Sequence, residues 1–538
     1  MYVTCVVEGW RAHPYYGEVA KVRIAGGETI GDFSGWIRGA FREYVELPPG
    51  VYEVVVDDRR EECVVAPPEY PWHFVVPYMA VDWGDVVEIR IYAPEEPEVG
   101  RGRVVKLADL GPFSIYLGLV KGRRYTLRCC GKTRRFKSPP VANAPGVTAM
   151  YEVLPDRAAD RLGCRDLRRG YCGGTLRDVA KLAITALDIA DTLYLHPIYP
   201  AMSYHRYDVV DHLQVDEKLG GWSAFVTMRE TLRRRGMKLV LDIVLYHVGL
   251  RNAIFPEGPF VFKSLDYTHL VKKIAEKMPM EALRELFRGE PPYETFLDVW
   301  LMPKLDYSKP SAVEYGRKVV EFWKSHVDGF RLDVAHGIPP GAWAEILKPA
   351  EGLYIFGEHM GNPAPFYWAV PGFTAYLLYK AAVDWLAKDL DRFVKWTNLY
   401  IALTPPAALP YMNTFLENHD TDRAASIFDI NTLYRGYALI FSLPGVPSIY
   451  AGGECGEVGR AEDHTNRRPY SPCPDSPLRE FLKRLYTTRR ELALYKGPAW
   501  VETRRSELVI HRGAVDVAVG INKLIVSNTE RYIEHKFL

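Results

Sequence analysis

From Met150 onward the sequence alternates short apolar runs with amphipathic segments for about 340 residues, and this alternation restricts the fold more than any other feature. The apolar runs are "MYEVL", "DTLYLHPI", "KLVLDIVLYH", "GFRLDVA", "LYIFGEH", "TFLENHD" and "PSIYAGGE". Between them lie segments of helical period such as "TLRDVAKLAITAL", "SAFVTMRETLRRRG" and "VEYGRKVVEFWKSH". Parallel strands need crossover connections, and a helix is the usual one. The pattern therefore predicts an α/β fold, an eight-stranded (β/α)8 barrel of the TIM type. The sixth strand is placed near "FTAYLLY", and an insertion over 248–308 separates the third strand from the fourth.

The barrel is assigned to 148–496, and both flanks change character. Residues 1–147 carry alternating, β-branched runs such as "YVTCVV", "YEVVVDD" and "VVEIRIYA", separated by Gly and Pro turns. The proline-rich piece "VVAPPEYPWHF" divides this stretch into two β-sandwich modules, 1–70 and 71–147. After about residue 497 a small carboxyl-terminal β domain, 497–538, is expected.

Charge excludes some functions. There are 68 basic residues against 67 acidic ones, a net charge of +1, so no polyanion is expected as a partner and nucleic-acid binding is set aside. The start "MYVTCVVEGW" lacks a basic segment followed by a long apolar run, and no apolar stretch reaches membrane-spanning length. No membrane partner and a cytoplasmic location are expected. Gln214 is the only glutamine, a depletion of thermolabile amides that fits a thermophile. Of the eight cysteines most are expected to be reduced, with Cys164 and Cys172 the pair favoured for a disulfide.

The strand ends carry the chemistry. In "GFRLD" Arg331 and Asp333 stand two apart and so point to the same side of a strand. Burying them needs compensation. The same anomaly recurs at His247, at Glu358, and at His419 with Asp420. All are carboxyl-terminal strand ends, where barrel enzymes place their active sites. Three carboxylates with an arginine and two histidines suit glycosidic cleavage with retention, which needs a carboxylate nucleophile and a carboxylic acid. Asp333 is assigned as nucleophile, kept ionised by Arg331, and Glu358 as general acid/base. Asp420 would stabilise the oxocarbenium-like transition state, and His247 and His419 would donate to sugar hydroxyls. Asp242, inside the third strand, is grouped with the substrate-binding residues as a buried structural partner rather than a reacting group.

These stretches resemble the α-amylase family of glycoside hydrolases, through "LDIVLYH", "GFRLDVAHG", "IFGEH" and "FLENHDTDR". Supporting matches are "MYEVLPDR", "YHRYDVVDHLQVDEKLGG", "YETF", "MPKLD" and "LPGVPSIYAGGE", several of which are most similar to the neopullulanase, cyclomaltodextrinase and maltogenic amylase branch. The resemblance implies α-1,4 cleavage in cyclomaltodextrins, maltooligosaccharides, pullulan or starch, with 4-α-glucanotransfer as the competing activity and a non-catalytic glucan-binding protein as the remote one. It also implies that Tyr207 is the aromatic platform under the sugar. No cofactor is expected to be required. Tyr246 stands where the family has an asparagine that often ligates calcium, and an aromatic ring cannot serve a hard cation. A second departure follows the nucleophile, where that branch has Val-Ala-Asn-Glu and this chain has His336 and Gly337. The amino-terminal stretch "GDFSGW" resembles starch-associated sandwich domains, with Trp36 as a candidate glucan contact. In the related branch such a domain covers the partner's active site, which raises a homodimer.

Overall fold

The computed structural model describes residues 4–13, 17–25, 29–32, 35–38, 45–47, 50–56, 59–65, 80–111, 113–122, 124–137, 146–279, 282–283, 289–361, 363, 366–520, 523–527 and 532–536. Its centre is an eight-stranded parallel sheet. The strands are β1 (Met150–Val153), β2 (Thr192–Leu195), β3 (Lys238–Ile243), β4 (Gly329–Leu332), β5 (Tyr354–Gly357), β6 (Gly372–Phe373), β7 (Asn413–Thr414) and β8 (Val446–Tyr450). Their order is β6-β5-β4-β3-β2-β1-β8-β7, and a parallel bridge from Thr374 to Asn413 joins the two edges into a barrel.

The side chains alternate as a closed sheet requires. Met150, Tyr194, Val240, Tyr354, Phe356 and Val446 form one buried cluster inside the barrel. Tyr151, Val153, Leu193, Leu195, Leu239 and Leu241 belong to the larger core outside it, packed against the helices. Those helices start where the sequence provides caps. Thr175 and Asp178 form a capping box for Leu176–Thr185, and Asp429 accepts from the Thr432 amide at the start of Ile430–Ser442.

The sixth strand differs from its sequence assignment. Of "FTAYLLY" only Phe373 lies in β6, and Tyr376 already begins the helix Tyr376–Trp385. A short apolar run does not distinguish a buried strand from a buried helix, and here the helix takes most of it. The insertion after β3 has its own core, in which Phe255, Phe260, Tyr293, Trp300 and Leu305 pack with Val271 and Ala275 of the helix Leu265–Lys277.

Strands between Thr4 and Val65 form one three-stranded and one four-stranded sheet, and those between Ala80 and Lys137 form another pair of sheets. The side chain of Trp36 and residues 66–79 lie outside the described residues. The second pair of sheets is anchored on the barrel: buried Arg90 pairs with Glu88 at 2.7 Å and donates to the Ile401 carbonyl at 3.1 Å. Ala499–Lys536 forms a five-stranded antiparallel sheet, held to the helix Leu390–Leu403 by two hydrogen bonds between Asn398 and the Val501 backbone.

Cys164 pairs with Cys172, the disulfide favoured above. A second disulfide, Cys455 to Cys473, was not singled out from the sequence, where most cysteines were expected to be reduced. Eighteen residues separate the partners, and only the fold of the loop after β8 brings them together. Among the described residues Cys129 and Cys130 are free.

Candidate active site

The registers of β3, β4 and β5 assemble the centre of the barrel mouth. Asp242 stands opposite Arg331 across the β3–β4 pair, so both side chains project to the same side. Asp333 and Glu358 follow the last residues of β4 and β5. One guanidinium meets all three carboxylates. Nη1 of Arg331 donates to Asp333 Oδ1 at 2.6 Å and to both Asp242 oxygens at 3.0 and 3.1 Å, while Nη2 lies 3.1 Å from Glu358 Oε2.

The turn after β4 contributes a backbone donor. Val334 has φ of 45°, a left-handed conformation unfavourable for a β-branched residue, and its amide donates to Glu358 Oε2 at 2.9 Å. Strain in the chain next to Asp333 thus orients the carboxyl of Glu358.

A second cluster forms above it. The Tyr207 hydroxyl lies 2.9 Å from Asp242 Oδ2 and 3.0 Å from His419 Nε2, and the two rings stack with 5.7 Å between centroids. His419 Nε2 is also 2.9 Å from Asp420 Oδ2, and Arg467 donates to Asp420 Oδ1 at 2.7 Å. Side-chain exposure sets the depth: Asp420 is 31% exposed, Asp333 and Glu358 7% and 8%, so Asp420 is nearest the solvent.

The structure therefore brings together Asp242, Arg331, Asp333 and Glu358, and joins them through Tyr207 to His419 and Asp420. Asp242 is wholly enclosed, its carboxylate also accepting from the Tyr194 phenol at 3.1 Å. His247 stands apart. Its Nε2 faces the Tyr207 carbonyl at 3.2 Å, its ring stacks on Phe296 of the insertion, and its buried Nδ1 has no hydrogen-bond partner.

Four participants were missed from sequence. Glu152 at the end of β1 and His196 just after β2 are strand-end polar residues in the quoted runs "MYEVL" and "DTLYLHPI", so the rule that found Glu358 applied to them as well. Tyr194 reads as an ordinary strand tyrosine, and Arg467 lies in a loop with no periodic signal.

Electrostatics follow from burial. Burial and the charges of Glu358 and Asp242 push Asp333 well above the usual carboxylate range, against the pull of Arg331. This differs from the expectation that Arg331 keeps Asp333 ionised: burial and two neighbouring carboxylates outweigh the one guanidinium. Asp420 behaves oppositely. Burial raises it, but His419 and Arg467 outweigh burial and hold it far below the usual range.

Among the described residues Glu152, His196 and His419 bring one potential ligand atom each within 4.8 Å of one another. Glu152 Oε1 already faces both imidazoles at hydrogen-bond distance, 2.9 and 3.1 Å, and the trio is a hydrogen-bonded cluster. Two further groupings contain disulfide sulfur, which offers no thiolate. No described helix is long and apolar enough to cross a membrane.

Residues 174–350 match the family described as "Alpha amylase, catalytic domain". Among curated relatives, a neopullulanase 2 from Thermoactinomyces vulgaris is 27% identical over 64% of this chain and 63% of its own length. A cyclomaltodextrinase from a Bacillus species is 29% identical over 54% of this chain and 53% of its own. The matched stretch thus spans between half and two thirds of those relatives. Among solved structures, a maltogenic amylase from S. marinus superimposes with a TM-score of 0.78 at 23% identity, covering 98% of this chain and 94% of that one, which shows the shared fold. With its barrel closed and its carboxylates at and just beyond the strand ends, the chain has the architecture expected of the α-amylase catalytic domain that residues 174–350 match.

Proposed function

We propose that this chain is a retaining α-glucan hydrolase that cleaves α-1,4-glucosidic bonds in cyclomaltodextrins and maltooligosaccharides, and also in pullulan or starch. The observation that carries the reading is Arg331, whose single guanidinium holds Asp333 and Glu358 side by side. Asp333 attacks the anomeric carbon while Glu358 gives its proton to the departing glycosidic oxygen. Glu358 then takes a proton from water, which attacks the same carbon and releases Asp333. Asp420 stabilises the charge that develops on the ring, Tyr207 supports the sugar, His419 holds Asp420 against the sugar hydroxyls, and the unpartnered Nδ1 of His247, whose Nε2 donates to the Tyr207 carbonyl, accepts from them.

The names of the relatives, neopullulanase and cyclomaltodextrinase, support this substrate class. No step needs a cofactor or calcium, and Tyr246, at the position of the family's calcium-ligating asparagine, packs its ring against Phe296. A cytoplasmic location fits a relative named intracellular maltogenic amylase, from Bacillus subtilis. A homodimer belongs to the same reading.

The test is chromatography of products from β-cyclomaltodextrin, pullulan and soluble starch, with Asp333→Asn run alongside. Opening of the cyclomaltodextrin to glucose and maltose, abolished in the variant, supports the reading. Longer products than the substrate would replace hydrolysis by transfer, and activity that survives in Asp333→Asn would overturn the assignment.

A further inference from the structure

Glu152, His196, Tyr207 and His419 close a four-sided hydrogen-bonded ring. Glu152 Oε1 lies 2.9 Å from His196 Nε2 and 3.1 Å from His419 Nδ1. The Tyr207 hydroxyl lies 3.0 Å from His196 Nδ1 and 3.0 Å from His419 Nε2. Glu152 and His196, at 1% and 0% exposure, are out of reach of any substrate. Tyr207 and His419 form the side of the ring that faces the mouth.

Donor and acceptor counting fixes the protons. An ionised carboxylate only accepts, so both imidazole nitrogens facing Glu152 carry hydrogen. His419 Nε2 faces ionised Asp420 at 2.9 Å and must donate as well. His419 is then a doubly protonated imidazolium between two carboxylates, whereas His196 keeps a lone pair on Nδ1 that shares the single Tyr207 hydroxyl proton with Asp242 Oδ2, 2.9 Å from the same oxygen.

We propose that Glu152 and His196 are positioning residues of the sugar site, Glu152 holding His419 as an imidazolium whose Nε2–H is aimed at Asp420, and His196 fixing the Tyr207 phenol beneath the sugar. The groups facing His419 are Glu152 from β1, His196 after β2, Tyr207 from the following loop, and Asp420 beside it. Arg467 donates to the His419 carbonyl at 2.7 Å, and Asp242 and Arg331 lie behind Tyr207. Burial alone would discharge His419, but Asp420 and Glu152 carry it up to about 9. Burial and the charge of His419 take His196 down to about 4. Hydrogen bonds from both imidazoles outweigh burial at Glu152 and bring it to about 2.

The inference rests on the proposed function, and its test separates the two. Nitrogen-15 histidine labelling of the full chain, with His419→Gln for assignment, follows the His419 titration in the wild type and in Glu152→Gln, which keeps the shape and an acceptor but removes the charge. In parallel, kcat/KM for α-maltosyl fluoride is measured against pH, because fluoride leaves without a proton from Glu358. The expected result is a wild-type titration near 9 that falls toward the ordinary histidine value in Glu152→Gln. The corresponding loss of imidazolium lowers kcat/KM on the order of 30-fold at pH 8 and less than about twofold at pH 5.5. An unshifted titration, or an equal loss of activity at every pH, overturns the inference. A shifted titration in a protein that hydrolyses no glucan or glycosyl fluoride overturns the proposed function and leaves the ring standing.

Discussion

The ring of Tyr246 occupies the space that a side chain at position 337 would need. A β-carbon on Gly337 would lie 2.4 Å from Tyr246 Cε2 and 2.5 Å from Cδ2, well inside contact distance. The two departures from the family pattern in this part of the chain are therefore one feature. A large ring after β3 has been accommodated by removing the side chain beyond the nucleophile.

This coupling has a measurable form. Gly337→Ala forces the Tyr246 ring against His247 and Phe296 and is expected to cost about 1–3 kcal/mol of stability. Tyr246→Ala opens the space, so the double variant should be more stable than the sum of the two single losses. Denaturant midpoints of the four proteins form the cycle, and additive losses would show that the residues do not share space.

Arg331 is expected to be irreplaceable by a neutral residue. Arg331→Met leaves Asp242, Asp333 and Glu358 buried without their common cation, and breaking a buried ion pair on one side costs about 3–5 kcal/mol. Activity should be lost and the unfolding midpoint should drop together. An active, fully stable Arg331→Met protein would remove the guanidinium from the account.

Buried histidines should stay neutral in the folded protein below their ordinary value. Burial lowers His196 and His212 to about 4, and His247 and His359 to about 3. A histidine whose folded value is depressed takes up a proton on unfolding, so its contribution is complete above about 6.5 and declines as pH falls toward the folded value. Near pH 5 these four rings take up protons on unfolding, opposed by Asp333, Glu417, Glu454 and Glu457, whose carboxyls burial raises and which release them. Nitrogen-15 spectra of the folded protein at pH 5 measure the histidine part directly: the four rings should still be neutral, and protonated rings would contradict it.

The loop after β8 is expected to depend on its disulfide. Cys455 and Cys473 are 18 residues apart, a closure for which the chain-entropy model gives about 3 kcal/mol. Cys455→Ser with Cys473→Ser should lower the thermal midpoint without altering the carboxylates. An unchanged midpoint would mean that the packing of this loop already fixes it.

The strands of the barrel were legible wherever the apolar run was long enough to cross it, as in "KLVLDI" and "VPSIY". They were hardest to read at β6 and β7, each two residues long, because the apolar residues that follow β6 belong to a helix. The carboxylates and Arg331 were legible because charge at a buried strand end is costly and seldom without purpose. Glu152 and His196 obey the same logic but carry no arginine beside them to draw attention. Arg467 reaches Asp420 from a loop 47 residues away, a relation that only the closed barrel reveals.

The most direct measurement of the central claim, that Asp333 acts as a nucleophile in a double displacement, is the anomeric form of the first product. Proton NMR of β-cyclomaltodextrin opening, recorded before mutarotation, should show the new reducing end as the α-anomer. A β-anomer formed first would mean direct attack by water and would contradict the account.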